Sequence, residues 1–319
     1  MPHVESLLTS VVLCTYNRCD LMAAALRSLC EQTLAPTSYE IIVVDNNSTD
    51  GTRQHVADIG RQHSHVRYCF EAQQGLSHSR NTGFQAARGL YVAYIDDDCT
   101  VPQEWLDIAH QVIVCVAPAI FGGPYRPFYH SLKPRWYLDR YGTYDDGSIS
   151  RVLDEDHYLS GTNLFIRRSL LEQLGGFNTA VGMTGTRLGY GEETSLQRRV
   201  RQERPNEMIY YEPRLTVSHL VRPEKMRLLW CAKQMFVSGR DWQRVVYDTT
   251  TERIHAILSC LRAVRALLEL VKGFLLGYLT RDRIRYPYIE NYLYEVVFVH
   301  LQTLGSTYEQ VTHRAKQGG

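Results

Sequence analysis

The sequence predicts an α/β protein in which a mixed, mostly parallel sheet is flanked by helices and followed by a helical C-terminal extension. Short β-branched apolar runs alternate with helical patterns through the first third of the chain, which is typical of βαβ units. Several of these runs end in carboxylates, and the region after about residue 222 carries helical periodicity alone. We therefore predict two halves of one domain, residues 1–100 and 101–221, and an extension over residues 222–319.

Composition narrows the functional classes. With 44% apolar and 22% charged residues, the chain is expected to be an ordinary globular protein with a sizeable core. Its formal net charge of +1 provides no overall field that would favour nucleic acid, so no nucleic acid partner is expected. The eight cysteines contain no C-x-x-C pair, which argues against zinc and thioredoxin-like chemistry and fits the reducing cytosol.

The hydropathy pattern predicts a cytoplasmic protein. The N-terminus has no charged stretch followed by an apolar core, so no signal peptide is expected. No run is long and uncharged enough to predict a membrane span.

The first two predicted strands each end in a polar turn. Leu7–Cys14 is a long apolar run that predicts a buried strand, and it ends at Thr15–Arg18. Asp20 is expected to cap a helix that continues through Leu29. Tyr39–Asp45 predicts a second strand, which ends in a carboxylate.

The next elements continue the alternation. Asn46–Gly51 is a dense turn and cap cluster, and a polar helix is expected to follow to about His63. Val66–Phe70 predicts a short strand. After Gly75–Gly83 the pattern predicts a helix to Arg88, and then the next strand begins.

An apolar strand, Tyr91–Ile95, ends in three consecutive carboxylates, Asp96–Asp98. Right-handed crossovers should bring this cluster to the same sheet edge as Thr15 and Asp45. Three like charges repel one another unless a cation lies among them, and oxygen ligands suit Mg²⁺ or Mn²⁺ that holds a substrate phosphate. The alternative is a solvated acidic turn, which Asp favours in any case.

Two arginines near this edge extend the argument to a nucleotide. Arg18 and Arg80 could bind phosphate oxygens through bidentate hydrogen bonds, and Asp45 could accept from a ribose or a base. The alternatives are a surface arginine at a helix start and a helix-capping aspartate.

The second half holds the candidate acceptor residues. Trp136 lies in an aromatic stretch that could stack on a sugar, although such rings also fill cores. Gly161 could allow close backbone approach to a ligand. Glu192 and Glu193 precede an amphipathic helix, where negative charge also favours a helix N-terminus. The run from residue 210 predicts a strand ending at His219, an imidazole that suits Mn²⁺ better than Mg²⁺.

Three segments resemble the nucleotide-binding half of glycosyltransferase family 2: VVLCTYNR (11–18), IIVVDNNSTDGT (41–52) and GLSHSRNTGFQAARGLYVAYIDDD (75–98). The resemblance implies a GT-A fold and transfer of a sugar, with inversion, from a nucleotide diphosphate sugar. A UDP-sugar is the favoured donor, and the acceptor would be a saccharide or a lipid-linked sugar. The resemblance extends to about residue 220 and says little about which sugar is moved.

The resemblance also implies roles for individual residues. Those that would line the nucleotide site are Thr15, Tyr16, Arg18 and Asp45. Asp97 would face the ribose and Asp98 would hold the metal, with Asp96 supporting it through water and His219 near it. Glu193 would accept the proton of the acceptor hydroxyl. The family usually has Glu-Asp where this chain has Glu192-Glu193, so the second side chain is one methylene longer.

Two other functions are compatible with this pattern. A nucleotidyltransferase also uses strand-end carboxylates and a metal, but it usually has a glycine-rich phosphate loop, and residues 15–18 contain no glycine. A catalytically silent protein that binds sugar nucleotides is the second alternative.

Residues 254–279 predict an amphipathic helix. Its apolar positions are Ile254, Ile257, Leu258, Leu261, Val264, Leu268, Val271 and Leu275. A mostly basic stripe lies opposite and includes His255, Arg262 and Lys272. Such a helix suits peripheral contact with the inner face of the membrane. It equally suits packing on the catalytic domain or a homodimer interface.

Overall fold

The computed structural model describes residues 7–249 and 256–317. These residues form two compact units, each built from several stretches of chain. The first unit comprises the described residues up to Phe128 together with Gly142–Thr179 and Leu196–Leu220. The second comprises Tyr129–Tyr141, Ala180–Ser195 and the described residues from Val221 onward.

All the named strands belong to the first unit. In chain order they are β1 (Thr9–Thr15), β2 (Tyr39–Asp45), β3 (Val66–Phe70), β4 (Tyr91–Asp96), β5 (Cys99–Thr100), β6 (Ile120–Gly122), β7 (Tyr125–Phe128), β8 (Arg151–Val152), β9 (Asn163–Arg167), β10 (Ile209–Tyr211) and β11 (Val217–Leu220). The main sheet has the order β3-β2-β1-β4-β9-β6-β10-β8, and a small sheet has the order β5-β11-β7.

Helices follow most strands of the first half and form most of the C-terminal region. They are α1 (Cys19–Cys30), α2 (Thr52–Gln62), α3 (Leu76–Ala86), α4 (Trp105–Cys115), α5 (Arg168–Leu174), α6 (Glu192–Glu203), α7 (Leu228–Thr249), α8 (Ala256–Thr280), α9 (Ile289–Tyr292) and α10 (Val299–Gln317). A π-helical stretch, Leu293–Val297, separates α9 from α10. The predicted α/β class with a helical C-terminal region is confirmed.

Apolar residues on both faces explain the central strands. β1 pairs in parallel with β2 and β4, while β9 runs antiparallel to both β4 and β6. Val11 and Leu13 are buried in one core cluster, and Val12 and Ile42 are buried in the other. A continuous apolar run is therefore what a strand covered on both faces requires.

The start of α1 corrects the predicted cap. The helix begins at Cys19, so Asp20 lies in its first turn and not at the cap position, and Arg18 makes no capping side-chain bond. Asp50 takes that role from the neighbouring loop, since its Oδ2 accepts a hydrogen bond from the Cys19 backbone N–H at 3.0 Å. The free N–H at the start of α1 is thus bound by the distant Asp50, whereas the sequence predicted the nearby Asp20 as the cap.

The predicted strand that ends at His219 is in fact two strands. Ile209–Tyr211 joins β6 in the main sheet, whereas Val217–Leu220 joins β5 and β7 in the small sheet. Pro213 lies between them and has no N–H to continue a ladder. The second strand places His219 directly opposite Cys99.

The second unit is helical around an aromatic core that includes Trp136, Tyr137 and Phe298. On α8, small residues allow close packing: a Cβ added at Gly277 would lie 2.2 Å from a ring carbon of Tyr292. A Cβ added at Gly273 would lie 2.7 Å from a Val297 methyl carbon.

The predicted apolar face of α8 lies at the surface. Leu261, Leu268 and Leu275 are 60%, 65% and 71% exposed. Ile254 and His255, also predicted for this helix, lie outside the described residues. Among residues 7–249 and 256–317, no helix combines the length and apolarity needed to cross a bilayer.

Candidate active site

The ends of β1, β2 and β4 bring the predicted polar residues to one edge of the sheet. Thr15 pairs with Asp45 across the parallel strands, and Cys14 pairs with Asp96 on the other side. This convergence confirms the placement that right-handed crossovers predict. It gives a concentration of carboxylates at the edge where open α/β sheets bind ligands.

Asp97 lies at the centre of this edge and is almost fully buried. Its carboxylate accepts from Thr15 Oγ1 at 2.8 Å and from Arg18 Nη1 at 2.9 Å. Burial raises the pKa of Asp97 to about 6, and the neighbouring Asp98 adds to the rise while Arg18 opposes it. The ion pair with Arg18 therefore keeps a carboxylate available in a place that otherwise disfavours charge.

Asp96 is held on the opposite side of the cluster. Its Oδ2 accepts from Thr162 Oγ1 at 2.9 Å, and its Oδ1 lies 3.7 Å from Nη2 of Arg80. Arg80 is itself buried and lies over the rings of Tyr94 and Phe177, with its Cζ 5.8 Å and 5.4 Å from their centroids. Arg80 thus packs in the protein interior beside Asp96.

The absence of a side chain at Gly161 leaves room for the guanidinium of Arg80. A Cβ at this position would lie 2.6 Å from Nη2 and 2.9 Å from Nη1 of that guanidinium. The close approach expected at Gly161 therefore exists, and its partner in this structure is the arginine. Its predicted contact with an acceptor stays a prediction.

Asp98 lies close to the imidazole of His219 and the thiol of Cys99. Nε2 of His219 lies 3.3 Å from Oδ1 of Asp98. Ligand atoms of Asp98, Cys99 and His219 all lie within 4.8 Å of one another. A carboxylate with an imidazole suits Mn²⁺, so the residues present fit the predicted metal. Cys99, which the sequence prediction did not include, is the third potential ligand.

Asp45 is oriented by two donors. Tyr68 Oη donates to its Oδ2 at 2.9 Å, and the Ser48 backbone N–H donates to its Oδ1 at 2.8 Å. Burial, followed by the bond to Asp45, raises the pKa of Tyr68 to about 12, so its hydroxyl stays a donor at neutral pH. Tyr16, also predicted for the nucleotide site, is half-buried in the loop after β1.

Asn17 joins the loop after β1 to the loop after β2, a role that the sequence analysis missed. Its backbone N–H donates to Ser48 Oγ at 2.9 Å, and its Oδ1 accepts from the Thr49 N–H at 2.7 Å. Its φ of 51° lies in the left-handed region, which Asn tolerates better than most residues. The sequence signal that could have predicted this role is an asparagine within the turn at residues 15–18.

In the second unit, the loop before α6 is tied to α7. The Tyr190 backbone N–H donates to Asp241 Oδ2 at 3.0 Å, and Arg240 Nε donates to Asp241 Oδ1 at 2.7 Å. The helix begins at Glu192, so both predicted glutamates lie in its first turn, and Glu192 is buried. Their catalytic roles stay predictions.

Trp136 is 8% exposed and packs against Tyr137, Tyr141 and Tyr294 within the second unit. Its carbonyl oxygen accepts from Asn291 Nδ2 at 2.5 Å. The ring therefore fills a core, which is the alternative that the sequence analysis left open. Its role toward an acceptor stays a prediction.

Comparison with known proteins identifies the family. Residues 10–175 match the family described as Glycosyl transferase family 2, which covers more than half of the chain. The chain belongs to glycosyl transferase family 2. The predicted family and the predicted enzyme class, a glycosyltransferase, are both confirmed.

Two relatives of this family 2 glycosyltransferase come from Haloferax volcanii. Glycosyltransferase AglE is 27% identical over 169 residues, which cover 53% of this chain and 55% of the relative. Glucosyl-dolichyl phosphate glucuronosyltransferase is 26% identical over 236 residues, covering 72% of this chain and 74% of the relative. This chain thus spans only about half the length of the first relative.

A solved structure supports the fold of the glycosyltransferase. The mannosyltransferase PcManGT of Pyrobaculum calidifontis, solved with GDP-Man and Mn²⁺, has a TM-score of 0.58 and 19% sequence identity. The alignment covers 98% of this chain and 76% of PcManGT. The predicted GT-A type of architecture is therefore confirmed.

Proposed function

We propose that this glycosyltransferase moves a sugar, with inversion, from a nucleoside diphosphate sugar to a hydroxyl of a lipid-linked saccharide. The main support for this function is the buried carboxylate cluster at the sheet edge, where Asp97 pairs with Arg18 and Asp98 lies beside His219. Such a cluster is suited to holding a nucleotide through its ribose and, with a divalent cation, through its diphosphate.

Donor binding would begin with the pre-ordered loops after β1 and β2. Asp45 and Asp97 present carboxylates that can accept from the base or the ribose hydroxyls, and Arg18 is half-buried beside them. Because Asn17 already joins the two loops, little chain entropy would have to be lost when the nucleotide binds. A UDP-sugar is the favoured donor.

Asp98 and His219 would hold Mn²⁺ or Mg²⁺, and Asp96 would support it through water. When bound, this ion supplies positive charge that offsets the negative charge on the departing nucleoside diphosphate. Mn²⁺ is favoured because imidazole suits it better than Mg²⁺. The Mn²⁺ in the PcManGT complex agrees with this preference.

Glu193 would remove the acceptor proton. Glu193 lies in the first turn of α6, and its carboxylate would accept the proton as the hydroxyl attacks the anomeric carbon. The proton then resides on Glu193, and the glycosidic C–O bond to the nucleotide breaks as the new C–O bond forms. Positioned general bases contribute about 10²- to 10⁴-fold in rate.

We further propose that α8 contacts the inner face of an anionic membrane, where a lipid-linked acceptor would lie. Its exposed apolar side chains, among them Leu268 and Leu275, share the helix surface with exposed Arg262, Arg265 and Lys272. Apolar area combined with cationic side chains is the chemistry that peripheral helices use on anionic lipid. The glucosyl-dolichyl phosphate in the name of one relative supports a lipid-linked acceptor.

The deciding experiment measures release of nucleoside diphosphate from a panel of nucleotide sugars. Each donor is incubated with Mn²⁺, with and without a lipid-linked acceptor, and the anomeric configuration of the product is determined. The proposal expects acceptor-dependent release for one donor and an inverted linkage. Release of sugar 1-phosphate would indicate nucleotidyl transfer, and donor binding without turnover would indicate a silent binding protein.

A further inference from the structure

A second group of potential metal ligands lies away from the carboxylate cluster. It consists of Cys30, His63 and His65, and we name it the thiol–imidazole cluster. One ligand atom from each side chain lies within 4.8 Å of the others. All three side chains are half-buried, so an ion could reach them from solvent.

The fold places the three residues by separate local means. Cys30 is the last residue of α1, and His63 follows the end of α2. The turn before β3 then lets His65 approach the same point, because the Val66 N–H bonds to the His63 carbonyl at 2.9 Å. The Ile41 N–H bonds to the His65 carbonyl at 2.9 Å, which anchors the turn to β2.

The geometry of the two imidazole rings is compatible with both binding one metal ion. Their ring centroids lie 5.8 Å apart with an interplanar angle of 83°, so the rings do not stack on each other. Nε2 of His65 is buried, and no group among the described residues forms a hydrogen bond with it. The edge-to-face contact with Tyr39 supports the His65 ring without supplying a polar partner. A buried nitrogen in this state gains from a metal or another partner.

Metal coordination uses the lone pair of each imidazole nitrogen and the thiolate form of Cys30. It would form a metal–sulfur bond and release the thiol proton to solvent.

We propose that Cys30, His63 and His65 form a zinc site. One sulfur and two imidazole nitrogens suit Zn²⁺, and a water would complete four-coordination. Neighbouring ligand atoms in a tetrahedral zinc site lie about 3.5 Å apart, so the cluster closes on the ion through changes of side-chain rotamer. The bound ion links the C-terminal ends of α1 and α2 to the start of β3.

The site is tested with Co²⁺ in place of Zn²⁺ on the full-length protein. A thiolate ligand gives Co²⁺ a near-ultraviolet charge-transfer band, which carboxylates and imidazoles do not produce. We expect one equivalent of Co²⁺ to give this band and Zn²⁺ to displace it. Cys30→Ser should abolish the band and weaken Zn²⁺ binding more than roughly 100-fold, since even outer-shell changes cost 10- to 100-fold.

Three further variants keep the result unambiguous. Cys115→Ser removes an exposed thiol elsewhere and should leave the band intact. Cys99→Ser removes the thiol beside Asp98 and should also leave it intact. His63→Gln should weaken the band, which provides a second test if Cys30→Ser does not fold. The proposal fails if wild type gives no band, if the band survives in folded Cys30→Ser, if His63→Gln gives the band as strongly as wild type, or if Cys99→Ser alone removes it.

Discussion

The packing of Arg80 against Gly161 predicts the effect of adding one methyl group. In Gly161→Ala the new Cβ would lie 2.6 Å from Nη2 and 3.1 Å from Cζ of Arg80. Ordinary contacts between such atoms are about 3.5–4.0 Å, so the guanidinium has to move by about 1 Å. Its freedom to do so is small, because it is buried against Phe177 and lies near Asp96.

Overpacking of this kind costs about 1–3 kcal/mol. We expect about 2 kcal/mol for Gly161→Ala, which should lower the melting temperature by about 4–8 °C for a domain of roughly this size. Because the displaced Arg80 also disturbs Asp96, the affinity for a nucleoside diphosphate with Mn²⁺ should fall as well. Differential scanning fluorimetry and calorimetric titration measure the two effects.

Gly60→Ala is the matched control. A Cβ there meets only the Val66 carbonyl oxygen, at an ordinary distance of 3.6 Å. Gly60 lies within α2, where Ala is favoured over Gly by about 1 kcal/mol, so this variant should melt at the same or a higher temperature. If Gly161→Ala melted and bound nucleotide like wild type, the close approach of Arg80 to Gly161 would have to be abandoned.

Three further predictions concern the proposed transferase. Asp98→Asn should abolish Mn²⁺-dependent nucleotide binding while melting like wild type; unchanged affinity by calorimetric titration would remove this residue from the metal site. Glu193→Gln should leave donor affinity unchanged and lower turnover by roughly 10²- to 10⁴-fold, and a larger loss in Glu192→Gln would move the base to that residue. Leu268→Glu should reduce the fraction of protein that sediments with anionic liposomes, and high salt should release the wild-type protein from them. The control Val114→Glu, at an exposed apolar position of α4, should sediment with liposomes like wild type. A stable dimer by light scattering that ignores lipid would instead make α8 a protein interface.

β1, β2 and β4 could be predicted because each is an apolar run buried on both faces, and β3 could be predicted as a short run although it is half-buried at the edge of the sheet. The predicted bounds Tyr39–Asp45 and Val66–Phe70 are those of the observed strands. The polar edge followed from topology alone, since parallel strands linked by right-handed crossovers must end together. Thr15, Asp45 and Asp97 therefore met as expected.

What the sequence concealed depends on contacts between distant segments. The cap that Asp50 provides to α1 is made across 31 residues, and local cap rules point to a nearer side chain. The spacing rule for cysteines likewise gave no sign of the thiol–imidazole cluster, because Cys30 and His63 come from different helix ends. On α8, periodicity predicted an apolar face, but it could not show that this helix packs closely against its neighbours through glycines such as Gly277.

The central position of β9 has a consequence for chain synthesis. β1 to β4 are complete once residue 96 has emerged, but β4 finds its second neighbour only when Asn163–Arg167 arrives. Until then the apolar run Tyr91–Ile95 presents unpaired backbone groups on one side, as edge strands that aggregate do. A truncated chain that ends at residue 150 should therefore be poorly soluble, and one that extends through β9 should gain the strand that covers this edge.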